Sequence, residues 1–469
     1  MAEVASHVVS SPASAGAPKL NRALNLWSLV IIGMVIIQPT APMGIYGVIN
    51  NKAGGHVVTT ILLAMVAMLL TAISYGKMAA AYPSAGSAYT YVGQEMHPAL
   101  GYITGWSMVM DYVLNPLICV AFCAKAAMNI FPGLPYYVWI TIFVCFLTWV
   151  NLRGIQTSAR INETLCLGMT IVVVIFLAAV VRFVWQLHSY GPGYFSQPFY
   201  NPATFRSTRI FAGTSVAVLT YIGFDGISTL SEEVENPRRN ILVATVLVCL
   251  ITGVLSSLEV YAAQLVWGSQ AFPSNQVESA FAMISRRVGG AALFQVINFT
   301  LLIANAGSAL AAQLAAGRLL YGMGRGNALP KAFFGVIDPK SRIPRNNVLA
   351  VGAFALVGAG ALEYFSHALG GGAYEIGAQA VNFGAFIAFM GVNAAAFIHY
   401  WLHASVKKVH NFLLPALGFL ICGFIWLNLS RTALVLGTVW MAAGILYATI
   451  KTKGFRGGLV NFDLPAEGE

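Results

Sequence analysis

Again and again along this 469-residue chain the sequence runs for about twenty residues with scarcely a charged side chain. That feature leaves it fewest options. In hydrocarbon every backbone N–H and C=O must be satisfied within the protein, so apolar runs of this length cross a bilayer as helices. Twelve such runs are expected, near residues 24–49, 57–81, 98–128, 135–152, 161–187, 208–233, 240–267, 289–323, 345–367, 374–402, 411–428 and 432–451. Composition agrees: 58% of residues are hydrophobic and 9% charged, against about 25% charged in soluble domains.

The net charge of +10 is no sign of a nucleic-acid partner, because the basic residues sit at the ends of the apolar runs. If both chain ends face the cytoplasm, eighteen Lys and Arg fall on the inner side and seven on the outer, with Lys125 inside a span. The positive-inside rule therefore places both termini in the cytoplasm. Residues 1–20 are small and polar and are expected to form a disordered cytoplasmic tail; 21–452 form the membrane domain and 453–469 a second tail. The six cysteines, Cys119, Cys123, Cys145, Cys166, Cys249 and Cys422, fall in apolar runs and read as small buried hydrophobes.

Two spans interrupt themselves. Span 1 contains "VIIQPTAPMGIYG" (Val35 to Gly47), with two prolines three residues apart; span 6 contains "LTYIGFDGISTL" (Leu219 to Leu230), with two glycines and Asp225. Proline removes an N–H and clashes with the preceding turn. Paired interruptions five spans apart point to a transporter built from inverted repeats, with substrate bound near the midplane where unwound backbone lines a cavity.

Four segments, in order, resemble signatures of the amino acid–polyamine–organocation transporters. They are "SYGKMAAAYPSAGSAYTYV" (Ser74 to Val92), "NLRGIQTSARIN" (Asn151 to Asn162), "GFDGISTLSEEVENPRRNI" (Gly223 to Ile241) and "GRLLYGMGRGNALPKAF" (Gly317 to Phe333). Within that superfamily, span 1, "SYGKMA" and "GWSMVMDYVLNP" (Gly105 to Pro116) look most like the bacterial putrescine importers. The resemblance implies an all-α integral membrane protein of 12 transmembrane helices with the 5+5 inverted-repeat, LeuT-type fold and broken helices 1 and 6. Repeat 1 would span 21–188 and repeat 2 206–403, with helices 11–12 at 411–451 peripheral. It also implies alternating access, movement of amino acids or amines, and an inner-membrane location.

Ionisable residues inside a membrane are functional candidates. Asp225 lies in the second break, where related exchangers similarly carry an acidic residue. It would bind a substrate ammonium, carry a coupled proton, or do both in turn; the plainer alternative is a structural carboxylate. By the same resemblance Asp111 and Tyr112 of span 3 face the pocket, with Asn115 one turn on; packing between spans is the alternative for Asp111. Glu259 is read as a proton relay or a partner for Lys125, which otherwise snorkels outward; Glu163 is read as an interfacial partner of Arg160. Glu232, Glu233, Glu235, Arg238 and Arg239 form either an inner gate or a solvated run.

Many family members hold a substrate carboxylate on N–H groups of a Gly-rich stretch in span 1. Here the register gives Ala41-Pro42-Met43, with Pro39 just upstream. Neither proline can donate, which leaves carbonyls, Gln38 and Thr40, and these suit a cation. The aromatics Tyr46, Tyr112, Tyr221 and Phe224 would cover an alkyl chain, or simply pack. The candidate binding set is thus Gln38, Thr40, Ala41, Met43, Gly44, Tyr46, Asp111, Tyr112, Asn115, Leu219, Tyr221, Ile222, Gly223, Phe224 and Asp225, with Asp225 and Glu259 as proton-coupling candidates. A lysine that many sodium-independent relatives carry in span 5 is replaced by Met169, so coupling is by protons through Asp225 or Glu259, or transport is by exchange.

The expected activity is secondary active transport of putrescine or a similar organic cation. The alternative is a transporter of cationic or small neutral amino acids; a receptor-like membrane protein is a third, more distant reading. Partners are the small amine or amino acid, protons and the lipid bilayer. No enzyme motif, cofactor signature or His/Cys metal cluster is visible, and His7, His56, His97, His188, His367, His399, His403 and His410 read as interfacial or solvated.

Overall fold

The first apolar stretch folds as two helices. In the computed structural model, which describes residues 24–84, 86–153, 159–187, 189–231, 234–273, 276–339, 341, 343–369 and 373–453, α1 (Leu26–Ile37) and α2 (Ala41–Ala53) meet at 43°. The Asn25 side chain caps α1 by accepting the Ser28 N–H at 2.9 Å. After these come α3 (Val57–Ala81), a short α4 (Ser87–Glu95), and α5 (Pro98–Ile130), which starts on a proline at a position where its missing N–H costs nothing. Then follow α6 (Tyr136–Leu152), α7 (Ala159–Gln186) and α8 (Ser207–Ala217). Beyond α8 the chain tightens into 3₁₀ turns over Val218–Thr220 and Phe224–Leu230.

The remainder is α9 (Pro237–Trp267), α10 (Ala280–Arg325), the four-residue α11 (Lys331–Phe334), α12 (Arg345–Leu369), α13 (Ala373–Phe397), α14 (Val409–Leu427) and α15 (Arg431–Lys451). Among the described residues the extended pairing is limited to one bridge, Leu24 with Val234, beside which Glu235 N–H donates to the Leu24 carbonyl at 2.9 Å.

Among the described residues, ten stretches are long and apolar enough to cross a membrane, and the bent α1–α2 pair makes an eleventh. The expected fourth span, α6, has 17 residues. At 1.5 Å per residue that is about 25 Å, short of a hydrocarbon core of about 30 Å. Pro135 stops it at one end and Arg153 at the other. Two elements were not foreseen, α4 and α11, because helices this short carry no long periodic signal.

Of the long helices α5 is the most deeply buried, whereas α7 and α15 bury little of their surface. Outer helices keep their apolar faces for lipid. This corrects the reading of the cysteines: Cys145 on α6 is exposed and Cys166 on α7 half-exposed, while the other four are buried. His56 is corrected too. It is fully buried, its Nδ1 3.0 Å from the Ala53 carbonyl and its Nε2 accepting the Asn201 N–H. Residues 1–23 and 454–469, the side chains of Arg160 and His367, and His188, Glu232 and Glu233 lie outside the described residues.

Candidate functional site

At the first break, local chemistry explains the geometry. In an α-helix the carbonyl of residue i takes the N–H of residue i+4. Pro39 has no N–H for Val35, and Pro42 has none for Gln38. The Gln38 carbonyl takes the Ala41 N–H instead, and the Thr40 carbonyl takes that of Met43, both at 3.1 Å. Gln38 itself sits at φ 74°, ψ 125°, a conformation L-residues seldom adopt. Its N–H is spent on the Met34 carbonyl. The break therefore withholds donors: two residues have none, and Gln38, Ala41 and Met43 use theirs within the chain.

The second break turns on Gly223, at φ 119°, a value only glycine adopts freely. A Cβ there would lie 2.7 Å from Cγ2 of Ile36. The two breaks thus press against each other, and the lack of a side chain at Gly223 permits it.

A cavity opens beside them. Of the expected residues, Gln38, Thr40, Ala41, Gly44, Asn115, Leu219 and Ile222 line it. Ile36 and Ile37, Ile118 and Cys119 of α5, and Leu301, Asn305 and Ser308 of α10 complete the wall. Ser308 donates to the Ile36 carbonyl at 2.9 Å, supplying a donor that the broken helix lacks. Sequence reasoning missed the α10 residues. A lone Asn or Ser in an apolar helix gives no local signal, though Asn305 and Ser308 stand three apart and hence on one face. Met169 of α7 places its sulfur 4.0 Å from the Thr40 hydroxyl.

Behind the cavity wall lies an acidic cluster. The Tyr112 hydroxyl donates to Asp225 Oδ2 at 2.6 Å, and the Gly223 N–H approaches Oδ1 at 3.3 Å. Asp111 is 1% exposed and its Oδ1 has no protein hydrogen-bond partner. The backbone of α13 crowds it, since a Cβ on Gly384 would stand 3.1 Å from the Asp111 nitrogen. Phe224 packs against Tyr75 and Phe389, with ring centroids 5.5 and 5.3 Å apart.

Other expected residues point elsewhere. Tyr46 donates to Gln264 and packs edge-on to Phe272 and Phe281, so it braces α2 rather than covering the cavity. Tyr221 donates to the Ile61 carbonyl of α3. Met43, one position before Gly44, is turned about 100° away from it and lies outside the lining. Lys125 does not meet Glu259; it pairs with Glu363 of α12 at 2.5 Å and lies over the Tyr136 ring. Glu259 is fully buried, and neither of its carboxyl oxygens has a protein partner. Glu163 is exposed. His399 and His403 are not simply solvated: each places Nδ1 2.9 Å from an oxygen of Glu95. Among the described residues no group of His, Cys, Asp or Glu is placed to hold a metal.

A cavity lined by apolar side chains with a few amides and hydroxyls, set among membrane-length helices, is the kind of site that takes a small molecule. The model of the amino acid permease family matches residues 27–462. The chain belongs to that family. A low-affinity putrescine importer of Escherichia coli K12, PlaP, is 32% identical over 95% of this chain and 97% of its own length. A branched-chain amino acid permease of Lactococcus lactis, BcaP, is 27% identical over 91% and 93% respectively. The vacuolar cationic amino acid transporter 4 of Arabidopsis thaliana is 26% identical over 72% of this chain and 58% of its own. The permease is accordingly a multi-pass membrane transporter of amino acids or polyamines and not an enzyme.

Proposed function

We propose that this permease is a secondary active transporter of a small organic cation, putrescine or a similar polyamine, working by alternating access across the inner membrane. One observation carries the reading. The break at Gln38–Met43 has almost no free N–H group for a carboxylate, and the helix before it packs on Gly223, whose N–H approaches the buried carboxylate of Asp225. An α1 helix ending there also turns the negative end of its dipole toward the cavity. The likeness to a putrescine importer over almost the whole chain supports the same substrate class.

In this reading the membrane domain is a 12-helix, 5+5 inverted-repeat unit with both termini in the cytoplasm. Residues 21–188 and 206–403 form the repeats, and the broken helices 1 and 6 hold the substrate between them. Gln38, Thr40, Ala41, Gly44 and Asn115 contact it, and Asp111 and Asp225 supply the negative charge. Asp225 and Glu259 are the proton-coupling groups, both completely buried carboxyls within membrane spans. Exchange of one amine for another is the alternative mode.

A second reading, transport of cationic or small neutral amino acids, is favoured by the amide and hydroxyl lining of the cavity and by the amino acid permeases among its relatives. Uptake into proteoliposomes separates the two. Labelled putrescine, with and without an inward pH gradient, is competed with cadaverine, spermidine, arginine, ornithine and alanine. Competition by diamines but not alanine, lost in Asp225→Asn and Asp111→Asn, is the expected result. Equal or better transport of alanine than of putrescine refutes the cation reading.

A further inference from the structure

Glu95, the last residue of α4, has a side chain only 3% exposed. Three groups converge on its carboxylate. The Tyr82 hydroxyl, at the end of α3, donates to Oε2 at 2.7 Å. His399 places Nδ1 2.9 Å from the same oxygen, and His403 places Nδ1 2.9 Å from Oε1. Both imidazoles come from the end of α13, where Ile398–Leu402 widens into a π turn, a distortion frequent at functional sites. The Tyr82 and His399 rings meet edge-on, with centroids 5.8 Å apart. One carboxylate thus ties the ends of α3, α4 and α13 together, and none of these four residues lines the cavity.

The same two long helices hold the second break. Tyr75 of α3 and Phe389 of α13 both pack against Phe224, and against each other with centroids 5.8 Å apart. Tyr82 lies about 10 Å along α3 from Tyr75, and His399 about 15 Å along α13 from Phe389. A movement of the break that separates α3 from α13 therefore works against the tie at Glu95. The other titratable and charged groups around it are engaged or exposed. Tyr400 donates to the Lys77 carbonyl at 2.8 Å; the Lys77 ammonium lies 5.4 Å over the Tyr400 ring and donates to Asn411 of α14 at 2.7 Å. Lys408 stands near Lys77, Lys407 lies over the Trp401 ring, and His410 is exposed. His97, which caps α5, spends Nδ1 on the Ala99 N–H. None of these neighbours brings a second carboxylate to the imidazoles.

We propose that Glu95, Tyr82, His399 and His403 form a pH-sensitive latch that slows transport when the solution at this face turns acid. A neutral imidazole donates from Nδ1 in only one of its two tautomers; an imidazolium donates from Nδ1 in every case and adds its charge to the bond. The latched form therefore takes up protons more readily than the released one, and its population rises as pH falls. The change falls near neutrality because imidazole is the side chain that gains its charge there. In the orientation proposed above this face is cytoplasmic, so acid carried in with substrate damps further uptake.

A distance and a rate test this. In a chain whose six cysteines are replaced by alanine, spin labels are placed through Met96→Cys and Ser405→Cys, both exposed positions beside the latch. Pulsed dipolar spectroscopy in liposomes, with equal pH on both sides, needs no substrate and reads the latch whatever the permease carries. Between about pH 7.5 and about 6, where free imidazole gains its charge, the parent's distances should narrow to the shorter one. Over the same range putrescine–putrescine exchange should slow about fivefold or more. His399→Gln combined with His403→Gln should show neither change. If that double variant does not fold, Glu95→Gln, which keeps hydrogen-bonding atoms and loses the charge, decides by the same distance. Parent distances that ignore pH, or variant distances that respond like the parent's, overturn the latch. A distance that follows pH while the exchange rate stays constant overturns its control of transport. Absence of putrescine exchange at every pH refutes the cation reading instead, and the distances still decide the latch.

Discussion

Replacing Gly223 by alanine tests the contact between the two breaks. At φ 119° an alanine is in a region nearly closed to side chains, at a cost on the order of 1–3 kcal/mol. Its Cβ would also stand 2.7 Å from Cγ2 of Ile36, well inside the optimum carbon separation of about 3.5–4.0 Å. Overpacking of that kind adds roughly 1–3 kcal/mol. The total, roughly 2–6 kcal/mol, is a large part of a typical stability of about 5–15 kcal/mol. Gly226→Ala is the control, because a Cβ there meets Ile36 at an ordinary 3.6 Å and the residue lacks a positive φ. Its effect should stay within about 1 kcal/mol either way. The assay is the unfolding midpoint of the purified protein in detergent at one fixed scan rate, alongside putrescine uptake. Gly223→Ala should unfold several degrees below parent and lose transport, and Ile36→Ala in the same chain should recover part of the midpoint. Equal midpoints for the two glycine variants refute the argument that the breaks are held in contact by a missing side chain.

Three further outcomes are expected. Ser308→Ala removes the donor to the Ile36 carbonyl and should cost about 0.5–1.5 kcal/mol; Ser308→Thr keeps the hydroxyl and should unfold like the parent. With the other five cysteines replaced by alanine, Cys119 in the cavity wall should react with an aminoethyl thiosulfonate and be protected by putrescine, as mass spectrometry reads directly. At the end of α4, burial alone would raise the Glu95 carboxyl, but the Tyr82 hydroxyl and the His399 and His403 imidazoles outweigh it and hold it below its ordinary value. A depressed carboxyl stabilises the fold above its unfolded value of about 4.3 and loses that contribution as pH falls through the lowered value. The parent's unfolding midpoint should therefore fall on acidification below about pH 4.3 more steeply than that of Glu95→Gln, which should start lower at neutral pH.

Much of this protein was legible without coordinates because the bilayer makes the governing chemistry local. Hydrocarbon offers no hydrogen bonds, so apolar length alone marked the helices, and the prolines at Pro39 and Pro42 had to open the backbone wherever the chain folded. The loss of N–H donors there followed from two residue types and their spacing. What lay beyond reach was rotation and partnership between distant helices. Tyr112 and Asp225 are 113 residues apart, and Lys125 and Glu363 are 238 apart. Which face of α2 turns to the cavity decided that Gly44 lines it while Tyr46 braces Gln264. Asn305 and Ser308 entered the wall only because α10 packs along α5 and beside the first break. Composition and proline chemistry thus determined on their own that the chain spans a membrane and breaks its first helix. Tertiary packing alone decided which polar groups meet in the gap, because a contact between helices is set by their mutual rotation, and no local pattern encodes it.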